Sequence, residues 1–486
     1  MSVLDKLEPQ VVWQYFEDIC QVPRPSKKEE KIIQFLLDFG KKHKLETKRD
    51  EIGNVLIKKS ATPGKEKVKT VVLQSHIDMV CEKNEGTDHD FDRDPIKPYI
   101  DGDWVKAEGT TLGADDGIGV AAQMAILTST EIEHGPIECL FTVDEETGLT
   151  GAFALKSGFF EGKILINLDS EDEGELFIGC AGGIDTLASF SYKTEKTPSG
   201  QAAIALAVKG LNGGHSGDEI DKGLGNSLKI MNRFLWTADN EYGIRLAKFE
   251  GGKARNAIPR ESFATITVAS EKKDKILNDF EKFANDVKAE LKVTEPKLEL
   301  SAKETELPAE VMDKNTQFSL LNALYACPHG VIEMSREIKG LVETSTNLAS
   351  IKEMENQTLK ITTSQRSSVD TAKKDIANMV ESVFLLAGAK VDHSDGYPGW
   401  RPNPDSEIVK ITEDSYKKLF NTDPIVRAIH AGLECGLFLE KYPYLDMISF
   451  GPTIKGAHTP EERISIETTK KFWDLLIDVL QKVPQE

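Results

Sequence analysis

The sequence predicts an α/β protein, a mixed β-sheet sandwiched by helices with an inserted α+β segment. Three observations predict it. Apolar, β-branched runs at Thr70–Leu73, Ile137–Val143 and Lys163–Leu168 have the unbroken character of strands buried on both faces. Amphipathic helical stretches alternate with these runs, as in a layered α/β fold. Each run also stops on polar side chains that can bind metal, His76, Glu145/Glu146 and Asp169. Strands of an open α/β sheet present such residues to the crevice outside their carboxyl ends.

A chain of 486 residues is too long for one ordinary core, so two domains are expected, or three. Hydrophobic residues at 39% and charged residues at 29% are ordinary for a soluble globular protein. Sixty Lys and Arg against 80 Asp and Glu leave a net charge of −20, which argues against nucleic acid or an anionic membrane as a partner. The start, Met1–Glu8, carries acids and no apolar core, so no signal peptide is expected. No apolar run approaches the roughly 18 residues of a spanning helix. The six cysteines, Cys20, Cys81, Cys139, Cys180, Cys327 and Cys435, form no C-x-x-C pair, which excludes a cysteine-rich zinc module and suits a reducing cytoplasm.

In chain order, residues 10–21 read as a short amphipathic helix ended by Val22-Pro23-Arg24-Pro25. Ser26 with Glu29 three residues on predicts a capping box, and Ile32, Ile33, Leu36 and Phe39 carry the second helix to Gly40. Asp50–Val55 reads as a hairpin with Gly53-Asn54 as its turn. Asp90-x-Asp92-x-Asp94 invites a calcium-loop reading, but Pro95 stands at the sixth position, where that loop needs glycine. The segment is therefore a solvated loop. From about Thr186 to His393 strands alternate with amphipathic helices at Ile276–Leu291 and Thr371–Leu386, and a terminal helix is expected over Glu467–Leu480.

The candidate site lies where these elements end. His76 is followed by Ile77-Asp78, and a carboxylate two residues after a histidine can orient a metal-binding imidazole. Taken singly, each segment has a plainer reading. A histidine after a strand is usually a satisfied one, and Leu112-Gly113-Ala114-Asp115-Asp116-Gly117 is a glycine turn with an Asp N-cap. Three consecutive acids, Asp144–Glu146, at the end of a buried strand are costly unless paired or liganded. Together with His458 in the loop Lys455–Arg463, the segments assemble one nitrogen and oxygen donor set suited to two divalent cations. Spacing leaves open which of Glu145 and Glu146 is the ligand; at a strand end their side chains are expected to diverge.

His-x-Asp, Gly-Ala-Asp-Asp-Gly, Asp-Glu-Glu-Thr-Gly, Asn-Leu-Asp-Ser-Glu, Gly-Gly-His-Ser-Gly and Gly-Ala-His-Thr-Pro-Glu-Glu-Arg follow one another in this chain. In order and spacing they resemble the co-catalytic dizinc peptidases of the aminoacylase and carboxypeptidase G-two group, over nearly the whole chain. The match is nearest to the branch acting on Xaa-His dipeptides. Relatives often carry Lys after the Asp-Asp pair; Gly117 stands there here, as in that branch.

The resemblance implies a zinc-peptidase-type catalytic domain in two parts, residues 1–186 and 399–486, and an inserted lid domain, 187–398, either one body or two similar halves. It implies that His76 and Asp169 hold one metal, Glu146 and His458 the other, and that Asp115 bridges them. Asp78 would orient His76, Glu145 would be the general base, and His215 of the lid would donate to the oxyanion. Asn256 and Arg366 are the candidates for gripping substrate, with a hinge near Gly182-Gly183 and Gly399. The implied activity is hydrolysis of dipeptides in the cytoplasm with two divalent metals, zinc first and cobalt or manganese as substitutes. A deacylase of N-acyl amino acids on the same fold and a non-catalytic metal-binding relative are the alternatives, and a homodimer is compatible with the sequence.

Overall fold

The computed structural model describes residues 3–486; Met1 and Ser2, the first two residues of the acidic start, lie outside them. The chain folds as two compact units. One runs to Gly179 and includes Pro402–Ala428 and Leu433–Glu486; the other is Cys180–Arg401 with Ile429–Gly432.

The first unit is built on an eight-stranded mixed sheet. Its order is Glu46–Arg49, Val55–Lys59, Ile137–Thr142, Val71–His76, Ile164–Asn167, Asp446–Ser449, Glu175–Cys180 and Ile425–Ile429. Val71–His76 is buried throughout and pairs in parallel with both neighbours, as its continuous apolar character predicts. Parallel pairing brings the carboxyl ends of three strands to one edge, and the predicted α/β class is borne out. The Gln10–Cys20 helix buries Val12, Trp13, Phe16 and Ile19, and it packs on the almost wholly buried helix Ala114–Thr128.

Register among the central strands is set by polar side chains inside the core. Asn167 Nδ2 donates to Gln74 Oε1 at 2.6 Å, and Gln74 Nε2 donates to Thr142 Oγ1 at 3.1 Å. Ser449 Oγ donates to Asn167 Oδ1 at 2.5 Å, which extends the ladder over four adjacent strands. A slip of one residue would turn every one of these groups to the opposite face and leave it unpaired. Each buried polar group stranded in that way costs about 1–3 kcal/mol.

The hairpin of Glu46–Arg49 with Val55–Lys59 forms where Gly53-Asn54 predicts it, and Asp50 Oδ1 accepts from the N–H groups of Ile52, Gly53 and Asn54. The capping box does not form. The second helix starts at Glu30, and Ser26 makes no cap. Glu29 instead turns inward, accepting from the N–H of Lys27 at 2.8 Å and of Asp144 at 3.1 Å. Those two unpaired backbone donors claim the carboxylate that a capping box would have used. A four-stranded sheet of Ile454–Lys455, Arg463–Ser465, Trp104–Ala107 and Pro98–Asp101 carries the His458 loop between its first two strands.

The second unit holds a nine-stranded antiparallel sheet. Its main path is Glu299–Thr305, Gln201–Lys209, Ser262–Ala269, Arg245–Gly251, Val342–Met354, Thr358–Ser367, Gly182–Ser191 and Lys390–His393, with Gly330–Met334 pairing off it. Arg245–Gly251 and Val342–Met354 meet at the single pair Gly251↔Ile351. The two expected helices appear at Lys273–Glu290 and Asp370–Leu386, packing Phe280, Val287, Val380 and Phe384 into one core. Among the described residues no disulfide links the cysteines, and no helix is long and apolar enough to cross a membrane.

His430 is buried in this unit with Nε2 2.8 Å from Ser345 Oγ. Burial, helped by the Arg366 and His215 charges and opposed by Asp218, pushes its pKa down from 6.5 to about 3. The unfolded chain thus binds a proton below pH 6.5 that the folded chain refuses, so stability falls as pH drops from 6.5 toward 3. At about 1.4 kcal/mol per unit, the loss is on the order of 3 kcal/mol by about pH 4.5. His430→Gln removes the titrating group. Urea denaturation at pH 7 and pH 4.5 should show wild type losing that much more stability than the variant, and equal losses would exclude His430 as the source.

Candidate functional site

In the first unit His76, Asp78, Asp115, Glu145, Glu146, Asp169 and His458 come together at the carboxyl edge of the sheet. His76 is the last residue of its strand and Asp169 lies two residues beyond Ile164–Asn167. Asp115 sits at the start of the Ala114–Thr128 helix, and its φ/ψ of −80°/110° are not helical. Glu145 and Glu146 do not diverge by strand alternation. They lie instead on a helical turn, Glu145–Gly148, after Asp144 takes a left-handed φ of 51°. Hydroxyls of Thr147 and Thr150 donate to the Asp144 carboxylate and hold that turn.

The distances define two overlapping donor sets. His76 Nε2 lies 3.0 Å from Asp115 Oδ1 and 3.2 Å from Asp169 Oδ1. His458 Nε2 lies 3.1 Å from Asp115 Oδ2 and 2.9 Å from Glu146 Oε2. The two oxygens of Asp115 therefore face different imidazoles. A tetrahedral site with bonds of about 2.0 Å has ligand atoms about 3.3 Å apart, so both sets fit small divalent cations. In each triad, His76/Asp115/Asp169 and Asp115/Glu146/His458, the donor atoms lie within 4.8 Å of one another. His76, Glu145 and Glu146 form a third such group. Glu146 Oε1 is buried and has no hydrogen-bond partner among the described residues, as suits an atom facing a cation.

Asp78 stands behind His76, with Oδ1 3.3 Å from Nδ1. It accepts from the N–H groups of Glu145 at 3.0 Å and Glu146 at 3.3 Å, so one carboxylate orients the imidazole and the acidic turn together. Burial opposes its charge, but the His76 contact and hydrogen bonds from Ser26 and the Glu145 N–H outweigh it and lower its pKa.

The remaining electrostatics follow from many acids in a small space. Burial disfavours charge on His76, yet Asp169, Asp115 and Asp78 raise its pKa well above the ordinary value. Hydrogen bonds that His458 donates to the Asp115 and Glu146 carboxylates raise its pKa to about 11. Asp115 is driven down against burial by His458 and His76, while Asp169 rises to about 7, chiefly through burial. Glu145 is raised well above the usual carboxylate range, first by burial and then by Asp169, Glu434 and Glu146, with His76 opposing. Cations bound among these donors would compete with protons for the same nitrogen and oxygen atoms.

Glu434 belongs to this neighbourhood, though no motif singles it out. It is buried, and its Oε2 accepts from Gln74 Nε2 at 2.6 Å and Thr142 Oγ1 at 2.9 Å. Its carboxyl pKa is raised to about 8, chiefly by burial. Its sole signal in the sequence is an acid opening an apolar helix, Glu434–Lys441.

The second unit gathers its own polar cluster. Gly214–His215 pairs with Ala257–Ile258, and Ser216 N–H donates to the carbonyl of Asn256 at 2.8 Å. Arg366 is buried, donates from Nη1 to Tyr397 OH at 3.0 Å, and brings Nη2 to 3.5 Å from His215 Nε2. His215 Nδ1 lies 3.3 Å from Asp218 Oδ2. His215 and Arg366 are thus side-chain neighbours, whereas Asn256 joins them through its backbone and leaves its side chain exposed.

Since both imidazoles share Asp115, Asp115→Asn should remove both metal equivalents, whereas Glu146→Gln should weaken one. Metal per chain, counted by elemental analysis after gel filtration, checks this; a variant Asp115→Asn that retains two equivalents would exclude the bridge.

A family model described as Peptidase family M20/M25/M40 matches residues 72–482. The cytosol non-specific dipeptidase of Escherichia coli (strain K12) is 44% identical over 484 residues, covering 100% of both chains. The aminoacylhistidine dipeptidase from Vibrio alginolyticus has a solved structure that matches with a TM-score of 0.93 at 47% identity, over 99% of this chain and 98% of its own. The aminopeptidase PepT from Bacillus cereus ATCC 10987 shares the fold, with a TM-score of 0.57 and 18% identity over 98% of this chain and 99% of its own. These similarities bear out the resemblance read from the motifs: the chain belongs to peptidase family M20/M25/M40.

Proposed function

We propose that this protein is a metal-dependent dipeptidase of broad specificity that includes Xaa-His dipeptides. Relatives named as cytosol non-specific dipeptidase and aminoacylhistidine dipeptidase, similar over nearly their full lengths, support that substrate class. A cytoplasmic setting has the support of the first name. The observation that carries the chemistry is Asp115, with one oxygen toward each of two imidazoles and Glu145 beside them.

In this reading His76, Asp169 and Asp115 would hold one divalent cation, and Asp115, Glu146 and His458 would hold the other. Imidazole and carboxylate donors suit zinc, with cobalt or manganese as substitutes. Bound there, such ions would supply Lewis-acid chemistry, lowering the pKa of a water and polarising the scissile carbonyl. Glu145 takes the proton from the attacking water and delivers it to the leaving amine, a role that its place beside His76 and Glu146 suits. Asp78 keeps His76 oriented and ties Glu145 to the same carboxylate. His215 is assigned to the developing oxyanion. Arg366 and Asn256 are assigned to substrate, the guanidinium being suited to bidentate capture of a free C-terminal carboxylate.

Purified protein should release free histidine from an Xaa-His dipeptide, lose that activity to a chelator and regain it with zinc, manganese or cobalt. Hydrolysis of N-acetyl amino acids in place of dipeptides would overturn the substrate class. Glu145→Gln should retain both metals and lower kcat by about a hundred- to ten-thousand-fold. Near-normal turnover in that variant would remove Glu145 as the base.

A further inference from the structure

The Asp115 carboxylate needs an exact backbone position to face two imidazoles, yet it sits where helical hydrogen bonding does not hold the chain. Asp115 and Asp116 both depart from helical φ/ψ at the start of Ala114–Thr128, and Gly113 before them has a left-handed φ of 70°. The N–H groups of such a start have no partners within the helix. Here they have one partner in common. Glu462 is 2% exposed, and its Oε2 accepts from Leu112 N–H at 2.8 Å and Gly113 N–H at 3.0 Å. Its Oε1 accepts from Ala114 N–H at 2.7 Å and Asp115 N–H at 3.4 Å.

Glu462 also belongs to the hairpin loop that presents His458. That loop closes through Glu462 N–H to Thr459 O at 3.0 Å and Thr459 N–H to Gly456 O at 3.2 Å, with His458 itself at a φ of 63°. From the other side Arg24, 3% exposed, donates from Nη1 to the carbonyls of Ile77 at 3.1 Å and Asp78 at 2.7 Å, and from Nη2 to the carbonyl of Gly113. A Cβ on Gly113 would come within 2.5 Å of Arg24 Nη2, so the turn accepts only glycine between the two clamps.

We propose that Glu462 is a positioning residue for the metal centre, holding the Asp115 turn and the His458 loop as one piece, with Arg24 tying that piece to the His76–Asp78 strand end. The carboxylate acts through backbone groups and touches neither substrate nor cation. This deepens the proposed function and rests on its two-metal reading.

Zinc alone is the probe. Competition against a chromophoric chelator, on metal-free wild type and Glu462→Gln, should show both zinc equivalents weakened about 10- to 100-fold in the variant, as is usual when a residue orienting the ligands is lost. Glu462→Asp, which keeps the carboxylate on a shorter stem, should recover part of that loss. A Glu462→Gln protein that binds both equivalents with wild-type affinity overturns the proposal, including when its metal-free form melts earlier, since that pattern is structural support alone. If circular dichroism shows Glu462→Gln unfolded, Glu462→Asp decides: reduced zinc affinity supports the clamp and unchanged affinity overturns it. Wild type that takes up no zinc overturns the two-metal reading itself, and the clamp with it.

Discussion

The site depends on the register of four adjacent strands, and that register is held by the side-chain ladder Thr142–Gln74–Asn167–Ser449. Apolar strands that are buried on both faces pack almost equally well after a shift, because valine and isoleucine carry no directional information. Buried amides and hydroxyls do carry it, since each has a partner at one register alone. With the ladder engaged, His76 ends its strand opposite Thr142, and Asn167 ends the other neighbour opposite Gln74, two residues short of His76. His76, the acidic turn and Asp169 then reach one crevice.

Crowding so many carboxylates there requires compensation beyond cations. Much of it comes from backbone N–H groups. Asp78 accepts from Glu145 and Glu146, Glu29 from Lys27 and Asp144, and Glu462 from four successive residues. Apart from Lys27, each donor belongs to a turn that presents a site residue. The same hydrogen bonds that favour the charged form of these acids against burial therefore also shape the loops that carry the ligands. Electrostatics and geometry are one arrangement here.

Much of this is legible in the amino-acid order alone. Strand character at Val71–His76, Ile137–Thr142 and Ile164–Asn167 follows from apolar composition, and the donors at their ends follow from chemistry. The resemblance of the ordered motifs to a peptidase family then names the donors, and the comparisons bear that family out. Less legible are the residues whose partners are distant backbone groups. Ser26 and Glu29 have the spacing of a capping box, yet Glu29 bonds to Asp144, 115 residues away. Glu145 and Glu146 look like the end of a strand, because nothing local announces that Asp144 will turn left-handed under two threonine hydroxyls. Arg24 reads as part of a helix terminator and Glu434 as an ordinary acid at a helix start; only their burial reveals otherwise.

By itself, then, the sequence determined the class of fold, the family and the kinds of donor available, since periodicity, composition and ordered motifs are properties of local stretches. The tertiary structure alone decided which carboxylate faces which imidazole. It also decided that Asp115 divides its oxygens between His76 and His458, and that Glu462 and Arg24 hold the turn on which it stands. Those outcomes rest on hydrogen bonds between residues up to about 350 positions apart. Such bonds have no periodic signature in the chain and exist only once the strands are in register.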